Sequence, residues 1–270
     1  MPKGKAGEYA KYACNFYVGC SNDCSYCYCK RGLLAHAMGA PKATLKKCFK
    51  DEEHAFEVFK KELDANKEEL QKHGLFFTFT SDPMLDNTRK LTIQAVDFAI
   101  RNDINCKILT KRADFIDSLP QWWFYKEYRG NIAFGFTLTG HDELEPGAST
   151  NAERIEAMRK LHEMGFKTFA SIEPVISIEK SKQMIEQTLG FCDLYKIGLL
   201  SGHKDYTKYD VMDFVADVNY VIFSHSYSFP DFKTHIKVYW KDSVFDYIGM
   251  NRDDLPKGIC VGADYNIFNK

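Results

Sequence analysis

Between Tyr12 and Phe223, short apolar runs alternate with stretches of helical periodicity. The runs Tyr12 to Tyr17, Leu75 to Thr80, Asn105 to Thr110, Asn131 to Leu138, Lys167 to Ile172 and Cys192 to Leu200 have the length and character of buried strands. Helices are expected between them. A long charged one covers Asp51 to Lys72 and another covers Leu91 to Ile100. Pro120 divides a helical region around Trp122 and Trp123. The capping box Thr150-x-x-Glu153 opens a helix with Ile155, Met158 and Leu161 on one face. Ser177 caps a helix through Leu189, and a last core helix runs from Tyr209 to Phe223. Strand–helix–strand order requires a parallel sheet with right-handed crossovers. Six such units are too few for a closed eight-stranded barrel.

Bulk properties exclude several classes. The chain of 270 residues is long enough for one large domain or two small ones. A net charge of −1 argues against a generally basic nucleic-acid binder, though not against a local basic groove. No apolar run approaches the ~20 residues that span a bilayer. The nine cysteines are odd in number and mostly scattered, and no signal peptide is visible, so thiols in a reducing compartment, the cytoplasm, are expected. The 21 Phe and 15 Tyr are read mainly as core packing.

Cys20, Cys24 and Cys27 form C-x3-C-x2-C, with Tyr26 just before the last cysteine. Three thiolates can hold three irons of a 4Fe–4S cube and leave the fourth open to a substrate or cofactor, whereas most electron-transfer clusters take four cysteines. A zinc site is the rival, because Cys24-x-x-Cys27 is a common zinc pair that Cys20 with Cys14, Cys29 or His36 would complete. No second C-x-x-C or H-x-H follows to make a ribbon or finger.

The run Gly19 to Tyr28 resembles the signature of the radical S-adenosylmethionine (SAM) superfamily. The wider string from Asn15 is most similar to the branch containing spore photoproduct lyase. The resemblance implies an α/β fold, a partial (β/α)6 barrel of radical SAM type with a C-terminal extension. Residues 1–228 would form the core, with the cluster loop at 19–29. Residues 229–270, with Tyr239, Trp240 and Phe245, break the alternation and would pack on the open side. The tail Met1 to Gly7 is expected to be mobile.

The cofactors implied are a [4Fe-4S] cluster and SAM. A flavodoxin or ferredoxin would supply the electron for reductive cleavage to a 5′-deoxyadenosyl radical. That radical would abstract hydrogen from a nucleobase, nucleoside or small metabolite. The lyase branch carries a hydrogen-donating cysteine near the end of the second strand. Phe79 stands near that place here, so photoproduct repair is not expected. The second functional class is a non-enzymatic zinc- or iron–sulfur-binding interaction protein.

Ligands of parallel βα folds bind beyond the carboxyl ends of the strands, so the residues there are the candidates. Ser81 and Asp82 suit the SAM ammonium, and Lys111 suits the carboxylate. Thr137 or Thr139 suits the ribose, and Tyr26 and Tyr28 suit adenine or substrate. Glu173, His141 and His203 complete the rim. The resemblance implies the same roles for Tyr26, Tyr28, Ser81 and Lys111. Each also has a bland reading, Ser81-Asp82 as a turn before Pro83 and Lys111 as a solvated loop lysine. Lys196 lies within a strand and faces either the interior or an edge. Cys106 and Cys192 read as core residues, and Cys29 adjoins the cluster without a clear role.

Overall fold

The computed structural model describes residues 7–32, 34–202, 204–228 and 236–269. His203 and most of the N-terminal tail lie outside them. The strands are β1 (Ala13–Cys14), β2 (Tyr17–Val18), β3 (Thr44–Leu45), β4 (Leu75–Phe77), β5 (Cys106–Thr110), β6 (Ile132–Thr137), β7 (Lys167–Val175), β8 (Leu194–Leu199) and β9 (Lys237–Trp240). The helices are α1 (Leu34–Met38), α2 (Glu52–Ala65), α3 (Lys67–His73), α4 (Arg89–Ile100), α5 (Lys126–Arg129), α6 (Asn151–Glu163), α7 (Ile178–Glu186), α8 (Lys208–Ser228) and α9 (Asp242–Ile248).

Seven strands make one parallel, unclosed sheet in the order β1-β4-β5-β6-β7-β8-β9. This is the expected partial barrel, with one strand more than six units supply. The seventh, β9, comes from the C-terminal extension and pairs with β8, so the extension continues the alternation instead of breaking it. The expected first strand is split. Ala13–Cys14 joins the sheet, while Tyr17–Val18 leaves to pair antiparallel with β3. The single long helix over Asp51 to Lys72 is two, because the chain leaves helical geometry at Asn66, which accepts the role of cap for both. The capping box at Thr150 forms as read, and Ser177 caps α7.

Residue parity along each strand divides the sheet into two faces. Ile132, Phe134 and Phe136 of β6 enter the large core beneath the helices. Ala133, Gly135 and Thr137 face the concave side. A smaller apolar cluster lies there, built from Tyr9, Phe76, Phe169 and Tyr239 with Ile267 near the C-terminus. The parity that sends Tyr195 and Ile197 to the helices sends Lys196 to this concave face. Its ammonium donates to the carbonyl of Tyr9 at 3.1 Å and sits 4.7 Å from the Tyr9 ring centre. Small residues keep the interior open. A Cβ at Gly198 would come within 2.7 Å of the Lys241 chain and 3.0 Å of the Glu173 carboxyl.

Candidate functional site

A cavity of about 1320 Å³ opens at the carboxyl ends of the strands. Cys20, Cys24 and Cys27 all line it, so the loop faces the cavity with all three of its cysteines. Among the described residues, no three His, Cys, Asp or Glu side chains are grouped to hold a single metal ion.

Each end of the cysteine loop is pinned by backbone. The Cys20 N–H donates to Ala40 O at 3.0 Å, and Ser25 N–H donates to Leu144 O at 2.9 Å. Gly147 N–H donates to Asn22 O at 3.1 Å. The loop 141–149 after β6 therefore clasps the cysteine loop from one side. Gly147 has no alternative at this contact, because a Cβ would land on the Ser21 carbonyl oxygen. Gly147→Ala is expected to push the two loops apart, costing about 1–3 kcal/mol of stability. Urea denaturation, together with a fall in bound iron after anaerobic purification, checks this.

The three thiols differ in character. Burial, with Asp82 nearby, pushes Cys20 up to about 12. Burial also raises Cys24. Cys27 is lowered to about 6 because the Cys29 thiol donates to it. Ligation requires thiolates, so occupancy of the site must release protons from Cys20 and Cys24. Cys29 is buried, and its Sγ lies 3.9 Å from Phe79 O. The sequence reading offered it only as a completing zinc ligand beside the cluster, and the fold places it in the lining of the same cavity.

Asp82 is buried and fully engaged. One oxygen accepts from Thr110 Oγ1 at 2.6 Å and Met84 N–H at 2.9 Å. The other accepts from Asn22 Nδ2 at 2.7 Å and Lys111 N–H at 2.7 Å. It ties the cysteine loop to the ends of β4 and β5. Beside it, the Ser81 hydroxyl is buried with no partner and lines the cavity. An orphaned buried hydroxyl costs free energy unless a ligand meets it, so this position fits a bound polar group.

Tyr26 donates its hydroxyl to Glu145 Oε1. Lys111 Nζ lies 3.7 Å from the same oxygen and 5.4 Å from the Tyr26 ring centre. The other Glu145 oxygen pairs with Arg154 of α6, whose side chain is fully buried and also donates to Thr137 O at 2.5 Å. Burial works against ionised Glu145, yet Lys111, Arg154 and Tyr26 hold it below the ordinary carboxylate range. Neither Glu145 nor Arg154 was legible as a site residue. Glu145 shares its loop with Asp142 and Glu143, and nothing in the sequence separates the three.

The remaining candidates disperse. Thr137 lines the cavity. Thr139 is wholly buried, and its hydroxyl accepts from the His141 N–H at 3.3 Å. His141 Nδ1 meets Glu143 at 2.7 Å. Tyr28 is half exposed and donates to Phe79 O, while the Phe79 ring stacks on Phe76 at 4.5 Å. Glu173 lines the far wall. It accepts from Tyr9 OH at 2.7 Å and from Lys241 Nζ at 2.9 Å. Tyr9 and Lys241 were not foreseen, since one follows the tail and the other closes β9.

The sequence matches the radical SAM superfamily over residues 14–192. An uncharacterized protein of Methanocaldococcus jannaschii is 27% identical over 263 residues, covering 93% of this chain and 91% of that one. A spore photoproduct lyase variant with bound SAM and a dinucleoside spore photoproduct superposes with a TM-score of 0.55 at 18% identity. The alignment covers 80% of this chain and 61% of the lyase, so the likeness is one of fold over part of that protein's length. SuiB of Streptococcus suis, bound to SAM, gives a TM-score of 0.54 at 14% identity over 79% of this chain and 47% of its own. The superfamily match takes in more than half of the chain, including the whole cysteine loop and the strands that carry it to the cavity. The chain belongs to the radical SAM superfamily.

Proposed function

We propose that this chain is a radical SAM enzyme whose substrate, a nucleobase, nucleoside or small metabolite, enters the cavity above the cysteine loop. The observation that carries the reading is that one cavity is lined by the three cysteines of the loop, by Lys111 and by Ser81, whose buried hydroxyl has no partner. Cys20, Cys24 and Cys27 would hold a [4Fe-4S] cluster with one iron free for SAM. When bound, the two cofactors together would supply the one-electron chemistry that generates a hydrogen-abstracting radical from SAM.

The protein's own part is to hold and to exclude. Ser81 offers a hydroxyl acceptor to the SAM ammonium, and Lys111 a cation to its carboxylate. Lys111 Nζ is placed there beside Glu145, 3.7 Å away. Asp82 acts by positioning, accepting from the Lys111 backbone N–H and from the Asn22 side-chain amide. Thr137, at the end of β6 and in the cavity lining, would meet the ribose, whereas Thr139 positions the His141 turn. Tyr26, held by Glu145, and Tyr28 flank the cluster. Tyr9, Glu173 and Lys241 form the opposite wall, where substrate would rest. On this reading residues 1–228 carry the cofactors and 229–270 complete the substrate side through Lys241.

Protein purified without oxygen and incubated with SAM and dithionite is expected to be brown, to hold about four irons per chain and to release 5′-deoxyadenosine with methionine. A colourless protein with one zinc, releasing neither, would overturn the reading in favour of a zinc-binding interaction protein. Transfer of deuterium from labelled candidates into 5′-deoxyadenosine identifies the substrate.

A further inference from the structure

We propose that the basic ribbon beside the cysteine loop is the docking surface for an acidic one-electron carrier protein. The inference rests on the radical SAM reading, since that chemistry is what needs an external electron. From Cys24 to Lys50 the chain holds six lysines and arginines and no acid, although the whole chain has a net charge of −1. Lys30 is paired with Asp23. Arg31, Lys42, Lys47 and Lys50 are exposed, and among the described residues no carboxylate pairs with them.

The fold sets this charge against the cysteine loop. β2 and β3 form the two-stranded ribbon, with Tyr17 opposite Leu45 and Val18 opposite Thr44. Lys46 N–H donates to Phe16 O at 2.9 Å, and Ala40 O accepts from Cys20 N–H. Gly19 cannot be enlarged, because a Cβ would come within 2.9 Å of Ala40 O and closer still to Lys42 O. The basic segment is therefore packed directly against the loop that carries Cys20. Lys46 of this segment lines the cavity while Lys42, Lys47 and Lys50 do not, so a carrier seated on those three touches the support of the loop and not the cavity lining. In the docked pair the carrier is oxidised by one electron and the cluster reduced by one, with no bond made or broken.

The occupant is a compact protein and not a nucleic acid, because the charge changes sign at once. From Asp51 to Glu69, through α2 and into α3, eight acids stand against three lysines. Affinity for a nucleic acid comes from successive phosphates neutralised along a basic track. A strand leaving Lys50 meets Asp51, Glu52 and Glu53. A folded carrier with an acidic face needs only the small basic patch, and such pairing acts on encounter rate and orientation.

The test uses iron-loaded protein and the triple variant Lys42→Glu, Lys47→Glu, Lys50→Glu, with a neutral Gln triple as its companion. None of these three side chains lines the cavity. Binding of an oxidised flavodoxin and an oxidised ferredoxin is measured by calorimetry at several salt concentrations. 5′-Deoxyadenosine formation is followed with each reduced carrier and, separately, with dithionite. At low salt the Glu triple is expected to lose about tenfold or more in affinity and in carrier-driven rate, and the Gln triple less. The dithionite-driven rate should stay at the parent's value. Carrier binding equal to the parent's in both triples would overturn the proposal. So would loss of binding to a single-stranded oligonucleotide with carrier binding intact. Failure of the parent with dithionite instead removes the radical SAM reading, while the binding arm still reports on the ribbon.

Discussion

Cys24→Ala protein purified without oxygen is expected to be colourless, its iron falling from about four per chain to near zero. Cys24 is the middle of the three thiols and the most buried of them. Its loop is held on both sides, by Ala40 at Cys20 and by Leu144 at Ser25, so no neighbouring sulfur can slide into its place without breaking backbone hydrogen bonds. SAM cleavage should vanish with the iron. The informative control is Cys29→Ala. Cys29 lies two residues beyond Cys27 and lines the same cavity, which makes it a candidate fourth ligand. If three thiolates suffice, Cys29→Ala stays brown, and added SAM still alters the spectrum of the reduced cluster. If Cys29→Ala loses iron as Cys24→Ala does, the fourth corner is closed by protein. The site would then be an electron-transfer centre, with no iron left for SAM.

The parallel sheet was legible because each strand is a short apolar run bounded by a polar loop, and because parity places one whole side of it under helices. Register with the C-terminal strand was less so. Lys237-Val-Tyr-Trp240 is four residues long, and its pairing with β8 is a tertiary event that local pattern does not encode. The cysteine loop was legible because ligand spacing is a property of the chain itself. The supports of that loop were not. Arg154 lies on a helix whose capping box and apolar face both read correctly, and an arginine there normally extends into solvent. It turns inward because Glu145 arrives from a separate loop, and two charges that meet across folded chain leave no periodic mark. Asp82 shows the converse. The sequence placed it just past a strand ending at Thr80, whereas β4 ends at Phe77, and the four donors that fill its oxygens come from Asn22, Met84, Thr110 and Lys111, which only the fold brings together.

Arg154→Met is expected to cost about 3–5 kcal/mol, the range for removing one partner from a buried ion pair. The Arg154 and Glu145 side chains are both completely buried, and Arg154 also satisfies the carbonyls of Thr137 and Thr150. Without the guanidinium, Glu145 keeps Tyr26 and a lysine 3.7 Å away, which is too little for a buried carboxylate. Urea denaturation of the metal-free protein measures the loss. Because the folded pKa of Glu145 is depressed, its contribution is present above the unfolded carboxyl value and is lost as pH falls through the lower folded one. The gap between parent and variant should therefore narrow as pH drops below about 4.3, the ordinary glutamate value. Adding Glu145→Leu to Arg154→Met should recover part of the stability, since a pair removed together leaves no stranded charge. Recovery should stay incomplete, because Tyr26 and Lys111 lose their acceptor. A loss under about 1 kcal/mol for Arg154→Met would place this pair with exposed surface ion pairs. Glu145 would then no longer serve as the anchor through which α6 holds Tyr26 against the cysteine loop.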